Sequence, residues 1–236
     1  MFLKWGSQPW MIWRSHWRNR QMLGGRRVTF AILTAMGLFA AIPYTLINRF
    51  ASIRDWAAFD PTLQLDIDIP FLAWMILPYM TLYLYYPVAA WLGSKNEIMW
   101  RQNIVFHQMM LLTCWGVNLI FILLPVEIDL RHLIHGIEGT MWEPFYASMH
   151  AIDTPWNSWP SLHIVQSMQV VFVLRYWYPP TTSRLRIAHV LLLIMWIMLV
   201  ISTMTIKQHY VWDVATAMLV AGLTWVYWMK PCLERL

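Results

Sequence analysis

The chain has 236 residues, of which 59% are hydrophobic and only 12% charged, about half the charged share of an ordinary soluble domain. This composition excludes a conventional soluble domain and predicts a multi-pass membrane protein. The net charge of +5 would suit nucleic acid, but in so apolar a chain it more often reflects membrane topology, so we expect no nucleic-acid partner. The sequence contains no glycine-rich phosphate loop, which leaves nucleotide chemistry without support.

The chain begins with a basic, Trp-rich segment over residues 1–27 that we expect to be cytoplasmic. A helix over Pro9–Arg20 would place Arg14 and Arg18 in one stripe. Three tryptophans would share another face of that helix: Trp10, Trp13 and Trp17. This pattern suits a helix lying on the inner leaflet, and equally a basic tail with Trp anchors.

Six apolar runs follow, most of them about 20 residues long, which is the length that a helix needs to cross a bilayer. They are Val28–Asn48, Pro70–Leu92, Ile104–Leu124, Leu162–Trp177, Ile187–Ile206 and Tyr210–Met229. The fourth run is short, so it either starts early in the preceding loop or is buried among its neighbours. The sequence therefore predicts an all-α fold, with a six-transmembrane-helix bundle over residues 28–230 and a cytoplasmic tail over residues 231–236.

The basic residues divide unevenly between the two sides of these spans. With the N-terminus inside, 13 of the 17 Lys and Arg residues fall in cytoplasmic segments. This bias independently supports an even number of spans with both termini in the cytoplasm. The long loop Pro125–Pro160 then faces outward. We expect a multi-pass protein of a bacterial inner membrane, whose active site faces the periplasm or exterior.

Ionisable residues cluster at the outer starts of the fourth and sixth spans. Pro-Ser-Leu-His over Pro160–His163 opens the fourth span, and His-Tyr-Val-Trp-Asp over His209–Asp213 opens the sixth. A helix places His209 and Asp213 on one face, about 6 Å apart along its axis. The carboxylate of Asp213 can then fix the tautomer of His209 and leave the other ring nitrogen free as a base or nucleophile.

The residues around this pair suit phosphoryl transfer. His163 lies at a helix start, where unpaired backbone N–H groups favour an anion. Ser161 can cap that helix or donate its hydroxyl to a phosphate, and Lys207 adds a positive charge nearby. In the predicted mechanism His209 attacks phosphorus and His163 protonates the leaving oxygen, with no metal or other cofactor.

Both motifs resemble signature motifs of the type 2 phosphatidic acid phosphatase superfamily. Pro160–His163 resembles the second motif, and Ser202 followed by His209 and Asp213 resembles the third. The Leu before the first histidine and the Tyr after the second are similar to the branch that contains fungal inositol phosphorylceramide synthase. Two further segments, Asp68–Tyr79 and Asp153–His163, are also similar to that branch.

This resemblance covers roughly residues 68–229 and implies a six-helix core, a lipid-phosphate substrate and metal-independent catalysis through a phosphohistidine. It also implies roles for four residues: His209 as nucleophile, Asp213 as its orienting partner, His163 as general acid and Ser161 at the phosphate.

The chain departs from the family pattern at two places. The usual first motif, a Lys followed seven residues later by Arg-Pro, is missing. The segment Leu123–His132 occupies its expected region, so Arg131 is the candidate phosphate-binding arginine. The third motif normally has Arg after its Ser, whereas Thr203 stands here, and Lys207 is the candidate for the missing charge. These departures leave the identity of the substrate open.

Each of these residues also has an ordinary structural interpretation. The His209–Asp213 pair can be a helix-end hydrogen bond, Ser161 a helix cap and Lys207 an interfacial side chain. Arg131 can be a solvated loop charge. The spacing of three loop histidines matches no usual zinc pattern, so no metal site is expected: His132, His135 and His150. The remaining candidates are expected to be structural histidines or solvated loop charges, with head-group recognition as the alternative for the acids: His107, His189, Asp66, Asp68, Glu138 and Glu143.

The leading hypothesis is an integral-membrane lipid phosphatase or phosphotransferase that acts on a lipid phosphate or phospholipid. Water or an acceptor alcohol would take the phosphoryl group. The alternative is a non-enzymatic six-span transporter or scaffold, with the histidines in a proton relay or a structural role. A transporter favours broken helices near the midplane, whereas these polar groups lie at helix ends, which favours the enzyme. The sequence predicts no oligomeric state.

Overall fold

The computed structural model describes residues 7–54 and 58–236, so Lys4 of the predicted N-terminal segment lies outside the described residues. Within these ranges the regular structure is helical, and the only strand-like pairs are isolated bridges that join Val126 to Phe59 and Asn157. The helices are α1 (Arg14–Arg18), α2 (Arg27–Ile53), α3 (Gln64–Asp68), α4 (Ile76–Met80), α5 (Leu82–Leu92), α6 (Glu97–Leu123), α7 (Glu143–Ile152), α8 (Leu162–Trp177), α9 (Ser183–Thr205) and α10 (Val211–Leu233).

Four described helices are long and apolar enough to cross a membrane: α2, α6, α9 and α10. They correspond to the first, third, fifth and sixth predicted spans. Helix α6 begins earlier than predicted because the side chain of Asn96 caps it, accepting a hydrogen bond from the Met99 amide at 2.9 Å. Helix α10 continues through a π-helical turn over Trp225–Met229 to Leu233, beyond the predicted start of the tail.

The second predicted span, Pro70–Leu92, is divided. A 3-10 turn over Ala73–Met75 leads into α4, and a separate turn at Thr81 precedes α5. The Thr81 amide donates to the Pro78 carbonyl at 3.1 Å, which closes a tight four-residue turn. Pro78 and Pro87 each lack an N–H group, which weakens a continuous helical ladder. Helix α5 has 11 residues, well below the roughly 20 that a lone crossing helix needs.

Helix α8 begins at Leu162, as predicted, and has 16 residues. It ends before Pro179, whose ring cannot continue the helical hydrogen bonding. It packs against α5, α6, α9 and α10, and most of its side chains are buried. The short fourth run is therefore buried among its neighbours, which is one of the two alternatives that its length suggested.

Buried polar residues fix α8 against the helices around it. The indole N–H of Trp196 on α9 donates to the Ser167 hydroxyl at 3.1 Å. The amide of Gln169 donates to the Thr224 hydroxyl on α10 at 3.0 Å. Because buried polar groups are costly when unpaired, these bonds favour one rotation of α8. That rotation determines which way His163 faces at the start of the helix.

The Trp-rich N-terminal segment folds as a 3-10 turn, Met11–Trp13, followed by α1. Trp13 is buried, and Trp10 and Trp17 are partly buried against the core. Arg14 and Arg18 are exposed, so the face with the tryptophans packs on the helix bundle and the arginines point away from it. The backbone amide of Trp10 donates to the side chain of Gln108 on α6 at 2.8 Å.

Long helices α2 and α9 expose large apolar side chains to their surroundings. These include Phe30, Leu38, Ile42, Leu46 and Phe50 on α2, and Ile187, Val190, Leu191 and Ile194 on α9. Apolar surface of this extent is rare on soluble monomers, and lipid would cover it in a membrane. The outer surfaces of these helices therefore agree with the membrane-protein composition.

Candidate active site

The starts of α8 and α10 lie side by side. The Ser161 amide donates to the backbone carbonyl of Asp213 at 3.3 Å, which joins the segment before α8 to the first turn of α10. Across this junction, Nε2 of His209 lies 3.3 Å from Nδ1 of His163. The structure thus brings together two histidines that are 46 positions apart in the sequence.

The Asp213 carboxylate orients His209. Its Oδ2 lies 3.2 Å from Nδ1 of His209 and also accepts the backbone amide of Tyr210 at 3.0 Å. Both ionisable side chains are almost completely buried. Since the carboxylate can only accept, the network assigns the ring proton of neutral His209 to Nδ1. Nε2 is then left with its lone pair and faces His163.

His163 has polar neighbours at both ring nitrogens. Nδ1 lies 3.4 Å from the hydroxyl of Tyr79 as well as near His209, and Nε2 lies 3.8 Å from Oδ2 of Asp153. The side chains of His163 and Asp153 are 12% and 14% exposed, so this ion-pair contact is well shielded from water. The Asp153 carboxylate supplies a counter-charge for this ring whenever the ring carries a proton.

Asp153 is a site residue that the sequence did not single out. Its Oδ1 accepts hydrogen bonds from the Tyr44 hydroxyl at 2.8 Å and from the Asn48 amide at 2.9 Å. Both donors are on α2, so the first long helix holds the carboxylate in place. Asp153 does open the family-like segment Asp153–His163, which was the available signal, but nothing in that pattern gave it a role.

Ser161 caps α8. Its hydroxyl oxygen accepts from the Ile164 amide at 3.4 Å, and the side chain is fully buried. This is the structural alternative that the sequence offered. Contact with a phosphate stays a prediction for this residue.

Arg131 lies on the same side of the molecule as His163. Its Nη2 donates to the Asp153 carbonyl at 2.6 Å and to the Gln208 side chain at 3.4 Å. Its Nε is buried and has no hydrogen-bond partner among the described residues. Burial lowers the pKa of the guanidinium. Arginine side chains in proteins nevertheless carry their charge at neutral pH. A half-buried cation with a buried donor to spare suits an anionic ligand.

Two further side chains, Gln208 and His150, form a hydrogen-bonded series with Arg131. Gln208 bonds Arg131 through its oxygen, and its Nε2 lies 3.3 Å from Nε2 of His150. Burial, and next the charge of Arg131, lower the pKa of His150 to about 4. His150 is therefore neutral at physiological pH and can accept the proton of Gln208.

The Lys207 ammonium bonds backbone carbonyls rather than the side chains around His163. It donates to the backbone carbonyls of Asp66 at 2.7 Å and of Ile69 at 2.6 Å, at the end of α3. Lys207 has a φ of +61° and is buried, and desolvation lowers its pKa. Asp66 in turn accepts the Val211 amide at 2.7 Å, at the first residue of α10. Lys207 and buried Asp66 thus brace the start of α10.

Four of the other residues singled out in the sequence have local partners. Asp68 accepts from Gln64, Glu143 accepts from the Gly139 amide, and His132 lies 3.7 Å from Asp129. His107 is buried with Nδ1 at 2.9 Å from the Asn103 carbonyl. Over residues 7–54 and 58–236, no group of three or more His, Cys, Asp or Glu side chains is arranged to hold a metal ion.

A cavity of about 350 Å³ opens beside His163 and Asp153. Its walls are mostly apolar and come mainly from α2, α5 and α8, with Cys114 of α6 and Ile152 of α7. The apolar lining includes Leu33, Met36, Ala40, Leu82 and Pro87. The site therefore combines polar groups at one end with a slot suited to a hydrocarbon chain.

Comparison with protein families matches residues 130–235 to the PAP2 superfamily. This region is less than half of the chain, and it contains all six predicted site residues: Arg131, Ser161, His163, Lys207, His209 and Asp213. Comparisons with curated proteins and with solved structures found no match.

Proposed function

We propose that this protein is an integral-membrane, metal-independent lipid phosphatase or phosphotransferase that works through a phosphohistidine. One observation carries the proposal: His209 is oriented by Asp213 through Nδ1, while its Nε2 lies 3.3 Å from His163. Such a pair supplies a nucleophile and an acid at one point. The match of residues 130–235 to the PAP2 superfamily supports phosphatase-type chemistry.

In the first step, Nε2 of His209 attacks phosphorus while the bond from phosphorus to the lipid oxygen breaks. Protonated His163 gives its Nδ1 proton to that oxygen, so the lipid leaves as an alcohol. Asp153, next to Nε2 of His163, stabilises the charged ring before the transfer. The present contact between the rings leaves no room for a phosphoryl group, so substrate binding must separate them.

In the second step, water or an alcohol attacks the phosphohistidine. Neutral His163 takes the proton of the attacking hydroxyl, the phosphorus–nitrogen bond breaks, and His209 is restored. Water gives inorganic phosphate, and an acceptor alcohol gives a new phosphoester. The same residues serve both outcomes, and exclusion of water from the site would favour transfer.

The equatorial phosphate oxygens need positive partners. Arg131 lies beside Asp153 and has a buried donor to spare, and the start of α8 presents backbone N–H groups. We assign Arg131 as the principal cation and Ser161 as a further donor. Lys207 acts at a distance, by holding the end of α3 against the start of α10.

The test of this proposal is a substrate panel. Purified protein in mixed micelles, incubated with phosphate-labelled lipid monophosphates and phospholipids, should release labelled phosphate, or form a new labelled lipid when an acceptor alcohol is added. Addition of EDTA should leave the rate unchanged, because no step uses a metal. A protein that turns over no member of the panel would contradict the proposal and return attention to a transport or scaffold role.

We further propose that the chain crosses the membrane six times, with both termini in the cytoplasm. Four helices have the length and apolarity to cross, and α8 and the pair α4 and α5 would complete the six within the bundle. The distribution of Lys and Arg supports this orientation. The site would then face away from the cytoplasm, which in a bacterial inner membrane is the periplasmic side.

Cysteine labelling tests the orientation. Cys114 and Cys232 are buried, so their background reaction should be low. Glu138→Cys, in the exposed loop before α7, should react with an impermeant thiol reagent added to intact cells. Thr181→Cys, in the exposed turn between α8 and α9, is the matched control and should react only after permeabilisation. The reverse pattern would invert the proposed topology.

A further inference from the structure

The apolar cavity beside His163 contains a polar side chain that the proposed reaction does not use. Gln166 lines this cavity and is 3% exposed. Its Oε1 accepts a hydrogen bond from the Tyr86 hydroxyl at 2.6 Å. Its Nε2 is buried and lacks a hydrogen-bond partner within the described part of the chain. A buried amide donor without an acceptor is costly, so its presence calls for an explanation.

The described residues around Gln166 provide no strong hydrogen-bond acceptor for its Nε2. The Cys114 thiol lies in the same cavity and interacts with Gln166, but sulfur is a weak acceptor. Tyr86 fixes the orientation of the amide, because its hydroxyl occupies Oε1. The amide N–H is therefore held in place within a mostly apolar slot.

The position of Gln166 along α8 relates it to the reacting phosphate. It is three residues after His163, so it lies about 4.5 Å further along the helix axis. Both side chains line the same cavity and hence lie on the same side of α8. In an acylated lipid phosphate, the first acyl carbonyl is on the order of 5 Å from phosphorus, about one helical turn.

We propose that Gln166 donates a hydrogen bond to the acyl carbonyl of the substrate. The substrate class is then a lipid monophosphate with an ester or amide carbonyl next to its phosphate-bearing unit. Polyprenyl phosphates, which have no acceptor at that depth, would leave Nε2 unpaired. This inference rests on the proposed function and adds a specificity-determining residue to it.

The experiment compares two substrates that differ only in this carbonyl. Diacyl phosphatidic acid and its dialkyl ether analogue have the same charge and chain length. For the unmodified protein, kcat/KM should be about tenfold higher for the ester, since one buried hydrogen bond is lost with the ether. Farnesyl monophosphate should behave like the ether.

Gln166→Met should remove the preference by slowing the ester to the rate of the ether, while the ether rate stays nearly unchanged. Gln108→Met is the matched control, because Gln108 is likewise a buried helical glutamine, on α6, but lies outside the cavity lining. This control should keep the tenfold preference. The comparison within the unmodified protein needs no variant, so equal rates for ester and ether would overturn the proposal even if Gln166→Met fails to fold.

The possible failures are distinguishable. Equal turnover of ester and ether by the unmodified protein would overturn the role of Gln166 and leave the phosphatase proposal standing. A preference that persists unchanged in Gln166→Met would also overturn it. Absence of turnover with ester, ether and farnesyl phosphate together would instead overturn the proposed function on which the inference rests.

Discussion

Replacing His209 with Gln should reduce phosphate release from a lipid monophosphate by about 10⁴-fold or more, because the reaction then has no nucleophile. Gln keeps the polarity and much of the size of the side chain, so the contact with Asp213 can persist and the fold should survive. KM should change little, since His209 contributes to the bond-forming step more than to binding. Steady-state release of labelled phosphate measures both quantities.

The covalent intermediate gives this prediction a second readout. Rapid quenching of the unmodified protein should trap label on the polypeptide in a form that is stable to base and labile to acid, as a phosphoramidate is. His209→Gln should trap none. The matched control is His132→Gln, which changes an exposed loop histidine, and it should retain both turnover and label. Labelling that persists in His209→Gln would show that another residue is the nucleophile.

The sequence could predict the contact between His209 and Asp213 because the two residues are close in the chain. His209 and Asp213 are one helical turn apart, and the spacing alone brings them onto one face. The pairing with His163 required one further step, namely that both motifs open helices on the same side of the membrane. The structure places Nε2 of His209 3.3 Å from Nδ1 of His163, so the two motifs form one site.

Two residues near the site have contacts with distant elements that the sequence pattern does not show: Asp153 and Lys207. The carboxylate of Asp153 is held near His163 by hydrogen bonds from Tyr44 and Asn48 on α2. Both donors are more than 100 positions earlier in the chain. Lys207 was a candidate for the missing third-motif charge, and in the structure its ammonium bonds the Asp66 and Ile69 carbonyls at the end of α3. Contact of Lys207 with a phosphate stays a prediction. Tertiary contacts determine where the side chains of Asp153 and Lys207 lie. The spacing of apolar residues along the sequence carries no information about such contacts.

In the fold, too, the sequence predicted the features that depend on neighbouring residues and missed those that depend on backbone turns. Apolar runs predicted most ends of the long helices to within a few residues. The reason is that the hydropathy of a run is a local property of the sequence. The interruption of Pro70–Leu92 depends on how Thr81 and Pro78 turn the backbone between α4 and α5. A hydropathy pattern does not report such a turn, although Pro78 and Pro87 inside the run were a signal for one.

Replacing His163 with Gln should slow hydrolysis of a lipid monophosphate by about 10²- to 10⁴-fold, the usual contribution of a positioned general acid. The effect should depend on the leaving group. A lipid alkoxide is a poor leaving group and needs the proton of His163, whereas p-nitrophenolate leaves without one. With p-nitrophenyl phosphate, formation of the phosphohistidine should therefore be nearly as fast in the variant as in the unmodified protein.

The second step then shows the other role of the same ring. Because His163 also takes the proton of the attacking water, the phosphohistidine should break down slowly in His163→Gln. Stopped-flow absorbance should record a burst of one p-nitrophenolate per active site, followed by slow turnover, and the trapped label should increase. His135→Gln, which changes an exposed loop histidine, is the control and should show the kinetics of the unmodified protein. If both substrates lose activity equally and no burst forms, His163 positions the site without transferring protons.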